Sequence, residues 1–222
     1  MADLFDLTGK TALITGASRG IGATIAAELA ARGMQVIGTA TTDEGALRIS
    51  QALAAYPDCR GARLDVTDGA AGEALVDGIV AANGALHVLV NNAGIANLGS
   101  FMADDAEAAL RNHLETNVLG PLRVSRAFAP VLARNGGGAL LNVASIASWI
   151  TSPLLASYAV SKSALWSLSN GLRNDLRGQG TQVLTLHMGF VDTDLTKGLD
   201  MPKATPEAIV ERALQALEAG AH

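Results

Sequence analysis

Short runs of apolar residues alternate along the chain with longer stretches in which apolar positions recur every three or four residues. The short runs predict strands at Thr11–Thr15, Gln35–Thr39, Gly61–Leu64, Leu86–Val90, Ala139–Val143 and Gln182–His187. The longer stretches predict helices at Ile21–Arg32, Glu44–Ala55, Ala70–Ala82, Ala106–Ala133 and Ser157–Arg177. A last amphipathic helix, Pro206–Ala219, starts from a Thr205 cap, with Pro at its first position and Glu207 close behind. The strands read as nearly continuous apolar runs, Thr-Ala-Leu-Ile-Thr and Leu-His-Val-Leu-Val, as expected when both faces are covered. Such β-α alternation, with right-handed crossovers, predicts a doubly wound parallel sheet that binds ligands beyond the carboxyl ends of its strands. No linker, repeat or low-complexity tract divides the 222 residues, so a single α/β domain is expected.

Composition narrows the core and the partners. Apolar residues make up 49% and aromatics only 4%, so the core is built mainly from Ala, Val, Leu and Ile. A net charge of −5 without any basic run argues against nucleic acid as the main partner. Met1–Lys10 lacks the apolar region of a secretory signal, and no apolar stretch approaches the roughly 20 residues of a membrane helix. A single cysteine, Cys59, excludes an internal disulfide and fits a reducing, cytoplasmic setting. The four histidines lack metal-ligand spacing, and no metal site is expected.

The first strand runs into Thr15-Gly16-Ala17-Ser18-Arg19-Gly20-Ile21-Gly22 and then a helical pattern. Glycines at that bend permit a tight turn and close approach of a pyrophosphate to the N–H groups of the helix start. The candidate cofactor contacts here are Gly16, Ser18, Arg19, Gly20, Ile21 and Gly22. At the end of the second strand, where NAD-binding proteins place a carboxylate for the ribose 2′-hydroxyl, this chain has Ala40, Thr41 and Thr42. No acid there repels a 2′-phosphate, and Arg19 can supply a positive charge to it. Asp43 and Glu44 read as the cap and first turn of the next helix. NADP(H) is therefore expected over NAD(H). Asp65-Val66 is placed to meet the adenine amino group, and Asn92, Ala93 and Gly94 leave the fourth strand beside the same groove.

Tyr158 and Lys162, four apart at the start of a helical pattern, share one face. A free phenol titrates near 10, too high for efficient acid–base work near neutrality, and a neighbouring ammonium lowers that value. Ser145, just past the fifth strand, can place its hydroxyl on a substrate oxygen. Taken together, Thr15–Gly22, Asn91–Gly94, Ser145 and Tyr158-Ala159-Val160-Ser161-Lys162 resemble the short-chain dehydrogenase/reductase family in order and spacing, from about Thr8 to Ala219. Gly9–Thr42 looks like the bacterial 3-oxoacyl-carrier-protein reductases, which use NADPH; Phe128–Lys203 is similar to small bacterial members of unassigned substrate.

The resemblance implies a Rossmann-type, three-layer α/β/α fold and hydride transfer between NADP(H) and a ketone or aldehyde and its alcohol. It implies Tyr158 as general acid/base, Lys162 lowering the Tyr158 pKa and binding the nicotinamide ribose, and Ser145 polarising the carbonyl. Asn117 matches the asparagine that holds a water linking Lys162 to solvent. Gly189, Val191 and Thr193 match the loop over the nicotinamide, where Met188 replaces the family proline and leaves the loop less pre-organised. Ile95, Trp149, Leu155, Phe190 and Leu195 are the expected pocket residues, favouring an apolar or aryl substrate. Relatives continue into a seventh strand, whereas this chain stops at His222, so about six strands with an open edge are expected. The helices Ala106–Ala133 and Ser157–Arg177 form the main dimer interface in relatives, which implies a homodimer, or a homotetramer. The competing reading is a non-catalytic NADP-sensing module on the same fold; intact Ser145, Tyr158 and Lys162 argue against it.

Overall fold

The computed structural model describes residues 7–153, 155–198 and 200–221. Six parallel strands form one sheet: β1 (Thr11–Ile14), β2 (Gln35–Ala40), β3 (Arg60–Arg63), β4 (Val88–Asn91), β5 (Gly138–Val143) and β6 (Thr181–Leu186). Their order is β3-β2-β1-β4-β5-β6, so the chain reverses direction across the sheet between β1 and β4, where a crevice opens at the carboxyl ends. The helices are α1 (Gly20–Ala31), α2 (Asp43–Ala52), α3 (Gly69–Asn83), α4 (Ala106–Leu114), α5 (Gly120–Arg134), α6 (Ala156–Leu176) and α7 (Pro206–Glu218).

Consecutive strand residues point to opposite faces, and both faces are covered. Leu13 and Leu140 pack with Phe128 of α5 and Leu172 of α6. Their sequence neighbours Ile14 and Leu141 pack on the other side with Leu29 of α1 and Leu214 of α7. Each is fully buried, a contribution of about 1.5–3 kcal/mol per side chain. This is why the strands carry no polar alternation.

The helix starts follow local hydrogen bonding. Thr205 Oγ1 accepts from Ala208 N at 3.3 Å, as the sequence predicts. For α2 the cap is Thr42, whose Oγ1 accepts from Gly45 N at 3.1 Å, so Asp43 falls in the first turn rather than at the cap. The backbone amide and the Thr42 hydroxyl hold the Glu44 carboxyl below its usual range.

One element departs from expectation. The stretch Ala106–Ala133 is not a single helix: α4 and α5 are separated by a π-helical turn, Glu115–Leu119. The physical cause is Pro121, which has no N–H for the carbonyl four residues back, that of Asn117, and whose ring crowds it. The helix widens instead, with Gly120 N donating to Glu115 O, and Asn117 is turned into the interior, 1% exposed. Among the described residues no helix is long and apolar enough to cross a membrane.

Candidate active site

A groove of about 560 Å³ runs over the crevice between β1 and β4. Its floor is the turn between β1 and α1. Gly16 adopts φ 67°, and a Cβ there would come within 2.9 Å of Ala93 Cα, so only glycine lets the two loops approach this closely. Thr15 Oγ1 accepts from both Asn92 N and Ala93 N at 3.0 Å, and Asn92 Nδ2 donates to the carbonyls of Thr15 and Gly16 at 3.0 and 2.9 Å. The Asn92 side chain thus braces the turn from below. A Cβ on Gly22 would collide with that amide at 2.4 Å.

Helix α1 starts at Gly20 with no capping side chain and no acid in its first turn. Its N–H groups and positive end are left for an anion. Ser18, Arg19, Gly20, Ile21 and Gly22 line this part of the groove, with Arg19 exposed at its rim. Ala40 and Thr41 form the adjoining wall, without a carboxylate; Asp43 instead faces Arg63 at 3.8 Å. Leu64, Asp65 and Val66 continue the wall, and Asp65 Oδ1 accepts from the amide and hydroxyl of Thr67 at 2.9 and 2.7 Å. The groove therefore fits a dinucleotide: an uncapped helix start, a Cβ-free turn, and an Ala40–Thr41 wall without a carboxylate beside the Arg19 rim. A second cavity, about 670 Å³, opens at the other end of the strands around Gly136, Gly180 and Arg173, away from all of these residues.

Tyr158, Lys162, Gly94 and Ile95 line the far end of the groove. Tyr158 and Lys162 stand one turn apart at the start of α6, with Lys162 Nζ 5.7 Å from the Tyr158 ring centroid. Lys162 is buried, and its Nζ donates to Val143 O at 2.8 Å. Burial pulls its pKa down to about 8. Burial also raises the Tyr158 phenol above its ordinary value, with the Ser145 hydroxyl pulling the other way. Desolvation, rather than a neighbouring ammonium, thus sets the direction for this phenol.

Ser145 follows β5 and begins the 3₁₀ turn Ile146–Ser148, its Oγ accepting from Ala147 N at 3.1 Å. That turn is tied to α6 twice: Ser148 Oγ donates to Lys162 O at 3.1 Å and Ser163 Oγ to Ser148 O at 2.8 Å. Asn117 sits one layer back. Its Oδ1 accepts from Ile95 N at 2.8 Å, and its Nδ2 donates to Ile95 O and Ser161 Oγ, each at 2.9 Å. Its amide is therefore committed to the loop after β4 and to α6 rather than directed at Lys162.

The remaining expected positions divide. Thr193 lies in the groove wall and against Gly20, with Met188 and Asp194 beside it. Gly189 and Val191 are not part of that wall: Gly189 is exposed, and Val191 is buried by its bridge to Ala204, its carbonyl accepting from the Thr196 hydroxyl at 2.5 Å. Of the expected pocket residues, Ile95 lines the groove, whereas Leu155 does not; it forms a bridge with Gly99. Trp149 and Phe190 are not groove residues. Trp149 is held outside by stacking on His187, ring centroids 4.3 Å apart, with Trp166 edge-on at 6.2 Å. The Leu195 side chain lies outside the described residues. Sequence reading also misses Ser161 and the seryl ties at Ser148 and Ser163. A small polar residue fully buried beside Tyr158 leaves no periodic signal, because its partners are far off in sequence.

Comparison with known proteins agrees with this geometry. The family described as short chain dehydrogenase matches residues 10–203. The 3-oxoacyl-acyl-carrier-protein reductases of Salmonella typhimurium and Escherichia coli are each 39% identical over 193 residues, which is 86% of this chain and 77% of theirs. A short chain dehydrogenase from Burkholderia cenocepacia, solved in complex with NADP, superposes with a TM-score of 0.86 at 30% identity, covering 96% of this chain and 86% of that one. A short-chain type dehydrogenase/reductase from Mycobacterium ulcerans superposes at 0.88 with 27% identity, covering 95% and 83%. The match runs from the glycine turn through Ser145, Tyr158 and Lys162 to the loop after β6, and on that ground the chain belongs to the short chain dehydrogenase family.

Proposed function

We propose that the protein is an NADP(H)-dependent oxidoreductase that interconverts a ketone or aldehyde and its alcohol, with NADP(H) preferred over NAD(H). The observation that carries this reading is the position of Tyr158 and Lys162 on one face of α6 at the end of the groove, beside the Ser145 turn. Gly16, Ser18, Gly20, Ile21 and Gly22 would hold the cofactor's pyrophosphate; Arg19 and Thr41 would face its 2′-phosphate. Asp65, Val66 and the Asn92–Gly94 loop would take its adenosine side, and Lys162 and Thr193 its nicotinamide side. Bound there, the cofactor supplies or accepts the hydride.

The chain's own residues handle the proton. Ser145 Oγ–H donates to the substrate carbonyl oxygen and orients it. Tyr158, kept protonated by burial, gives its phenolic proton to that oxygen as the alcohol forms, and takes it back in the reverse direction. The Lys162 ammonium favours the phenolate left behind. Asn117 holds the loop and α6 in register through Ile95 and Ser161. Pro121 offers no N–H to the Asn117 carbonyl, which suits that carbonyl to holding a water on the way to Lys162.

The substrate side of the site favours an apolar carbonyl compound. Among the described residues, seven of the eleven exposed large hydrophobics lie in the loops following β4, β5 and β6: Leu98, Phe101, Met102, Trp149, Ile150, Phe190 and Met201. They rim the same end of the sheet as the groove. The 3-oxoacyl-acyl-carrier-protein reductases of Salmonella typhimurium and Escherichia coli act, by name, on 3-oxoacyl groups, which have the same apolar character. The reading includes a homodimer through α5 and α6, where Val160 and Trp166 are exposed on the outer side of α6.

The test is NADPH consumption against a panel of ketones, aldehydes and β-ketoesters, with an NADH arm. Tyr158→Phe is expected to abolish turnover and to leave NADPH binding intact. Turnover that survives in that variant would overturn the assignment, and silence of the wild type with NADPH bound would favour the sensing module.

A further inference from the structure

We propose that His113 is a positioning residue for this reaction, fixing in one geometry the Tyr158 ring and, through the adjoining Asn97, the Ile95–Ala96 wall of the groove. The proposal rests on the oxidoreductase reading above. His113 lies near the end of α4, two residues before the π-helical turn, and is 0% exposed. Its Nδ1 is 2.8 Å from the carbonyl oxygen of Ala109, which only accepts, so Nδ1 carries the proton. Asn97 N donates to its Nε2 at 3.1 Å, so that nitrogen presents its lone pair. The two bonds together select the neutral Nδ1–H tautomer and lock the ring plane. The ring then stands edge-to-face with Tyr158, centroids 6.3 Å apart and planes inclined at 68°.

This contact has a counterpart four residues on. Asn117 grips Ile95 through both its amide and its carbonyl and reaches α6 at Ser161 Oγ, which in turn donates to Tyr158 O at 2.7 Å. The loop after β4 is thus fastened to α6 twice: Ile95–Asn117–Ser161 holds the Tyr158 backbone, and Asn97–His113 backs the Tyr158 ring. A leucine would fill the same space but would give Asn97 no acceptor and the phenol no flat partner. His113 Nε2 bears on the loop that carries the Ile95–Ala96 wall, and its ring bears on the Tyr158 ring, so the two effects are separable.

The experiment compares wild type, His113→Phe and His113→Gln with NADPH and a ketone that the wild type reduces. Phenylalanine keeps a ring against Tyr158 and removes the acceptor for Asn97; it is expected to raise the ketone KM about fivefold with kcat nearly unchanged. Glutamine keeps an acceptor and removes the ring; it is expected to lower kcat about tenfold with little change in KM, because a small misplacement of the proton donor is costly. NADPH affinity is expected to stay at the wild-type value in both. Asn97→Pro deletes the donor from the loop side and is expected to reproduce the KM effect, which keeps the test decisive if His113→Phe does not fold. Variants with wild-type kcat and KM, or with both constants worsening in step with lost thermal stability, overturn the positioning role. A Tyr158→Phe protein that still turns over instead overturns the reading on which it rests.

Discussion

Replacing Lys162 with methionine removes a charge that the fold holds at a cost, and the size of that cost follows from the structure. The ammonium is buried between α6 and β5, with Val143 O as acceptor at 2.8 Å, and its pKa falls from 10.5 to about 8. A base whose folded pKa lies below its unfolded value binds fewer protons in the native state between the two. Stability therefore rises with pH from about 8 to 10.5, and the full penalty stands below about 8. The gap between 10.5 and about 8, at about 1.4 kcal/mol per pKa unit, is about 3 kcal/mol at pH 7. Methionine has similar length and removes that penalty, but it leaves the Val143 carbonyl without its donor, which costs about 1–3 kcal/mol. The two nearly offset, so Lys162→Met is expected to match the wild type at pH 7 or exceed it by up to about 2 kcal/mol, while losing activity. The sharper signature is the slope: between pH 7 and pH 9 the wild type gains about 1 kcal/mol that the variant does not. Urea unfolding followed by circular dichroism at both pH values measures it. Parallel pH profiles for the two proteins, or a variant several kcal/mol weaker at pH 7, would refute the argument that burial of this ammonium destabilises the fold.

Three further outcomes follow from the same geometry. Arg19→Ala is expected to raise the NADPH KM at least tenfold and to leave the NADH KM almost unchanged, since a charge-assisted contact to a phosphate contributes about 1.5–3 kcal/mol; equal effects on both cofactors would remove Arg19 from the 2′-phosphate. Met188→Pro is expected to tighten NADPH binding about two- to fivefold by fixing φ in the loop that flanks the groove, and a dissociation constant that does not move in calorimetry would contradict this. Because burial raises the Tyr158 phenol above its ordinary value, alcohol oxidation is expected to climb through alkaline pH while carbonyl reduction is sustained at neutral pH. An oxidation optimum at or below neutrality would contradict that direction.

The sheet is legible in the sequence because burial on both faces writes the central strands β1 and β4 as nearly continuous apolar runs, and every predicted strand, the edge strand β3 (Arg-Gly-Ala-Arg) included, overlaps an observed one. The glycine turn is legible for a different reason: its residues act locally, so their spacing along the chain is their spacing in space. The π-helical turn is not legible. Its cause, Pro121, stands at the second position of α5, where a proline also reads as an ordinary helix start. Ser145, Tyr158 and Lys162 come through as spaced motifs, whereas Asn117 comes through only by its match to the family asparagine. What it does there depends on Ile95 and Ser161, 22 and 44 residues away. Trp149 reads as a pocket residue because it follows Ser145 closely, yet stacking on His187 decides where it sits.

The buried polar side chains are unevenly spread, and their placement bears on how the site is held. On the side of the sheet formed by α1 and α7, the packing is almost wholly aliphatic. On the side of α5 and α6 a polar chain crosses the core: Asn91 Nδ2 donates to Ser125 Oγ and to Asn142 Oδ1, and Asn142 Nδ2 donates to Ser169 Oγ, which donates to Leu165 O. Asn91 and Asn142 are register partners on β4 and β5, the strands whose ends carry the Asn92–Gly94 loop and Ser145. Aliphatic side chains of the same volume would pack as well, since a buried hydrogen bond adds little net stability over apolar contact. They would not, however, forbid small rotations of α6 against the sheet, because apolar contact is not directional. Hydrogen bonds are directional, and an unmet partner in the interior costs about 1–3 kcal/mol, so α6 is held in the register at which Asn142 Nδ2 meets Ser169 Oγ. That register is also the one that brings Lys162 Nζ to Val143 O, one residue along β5 from Asn142. The polar ladder and the lysine are thus two readings of one constraint: the fold accepts polar burial on this side of the sheet because it fixes the register of α6, which carries Tyr158, the proposed proton donor.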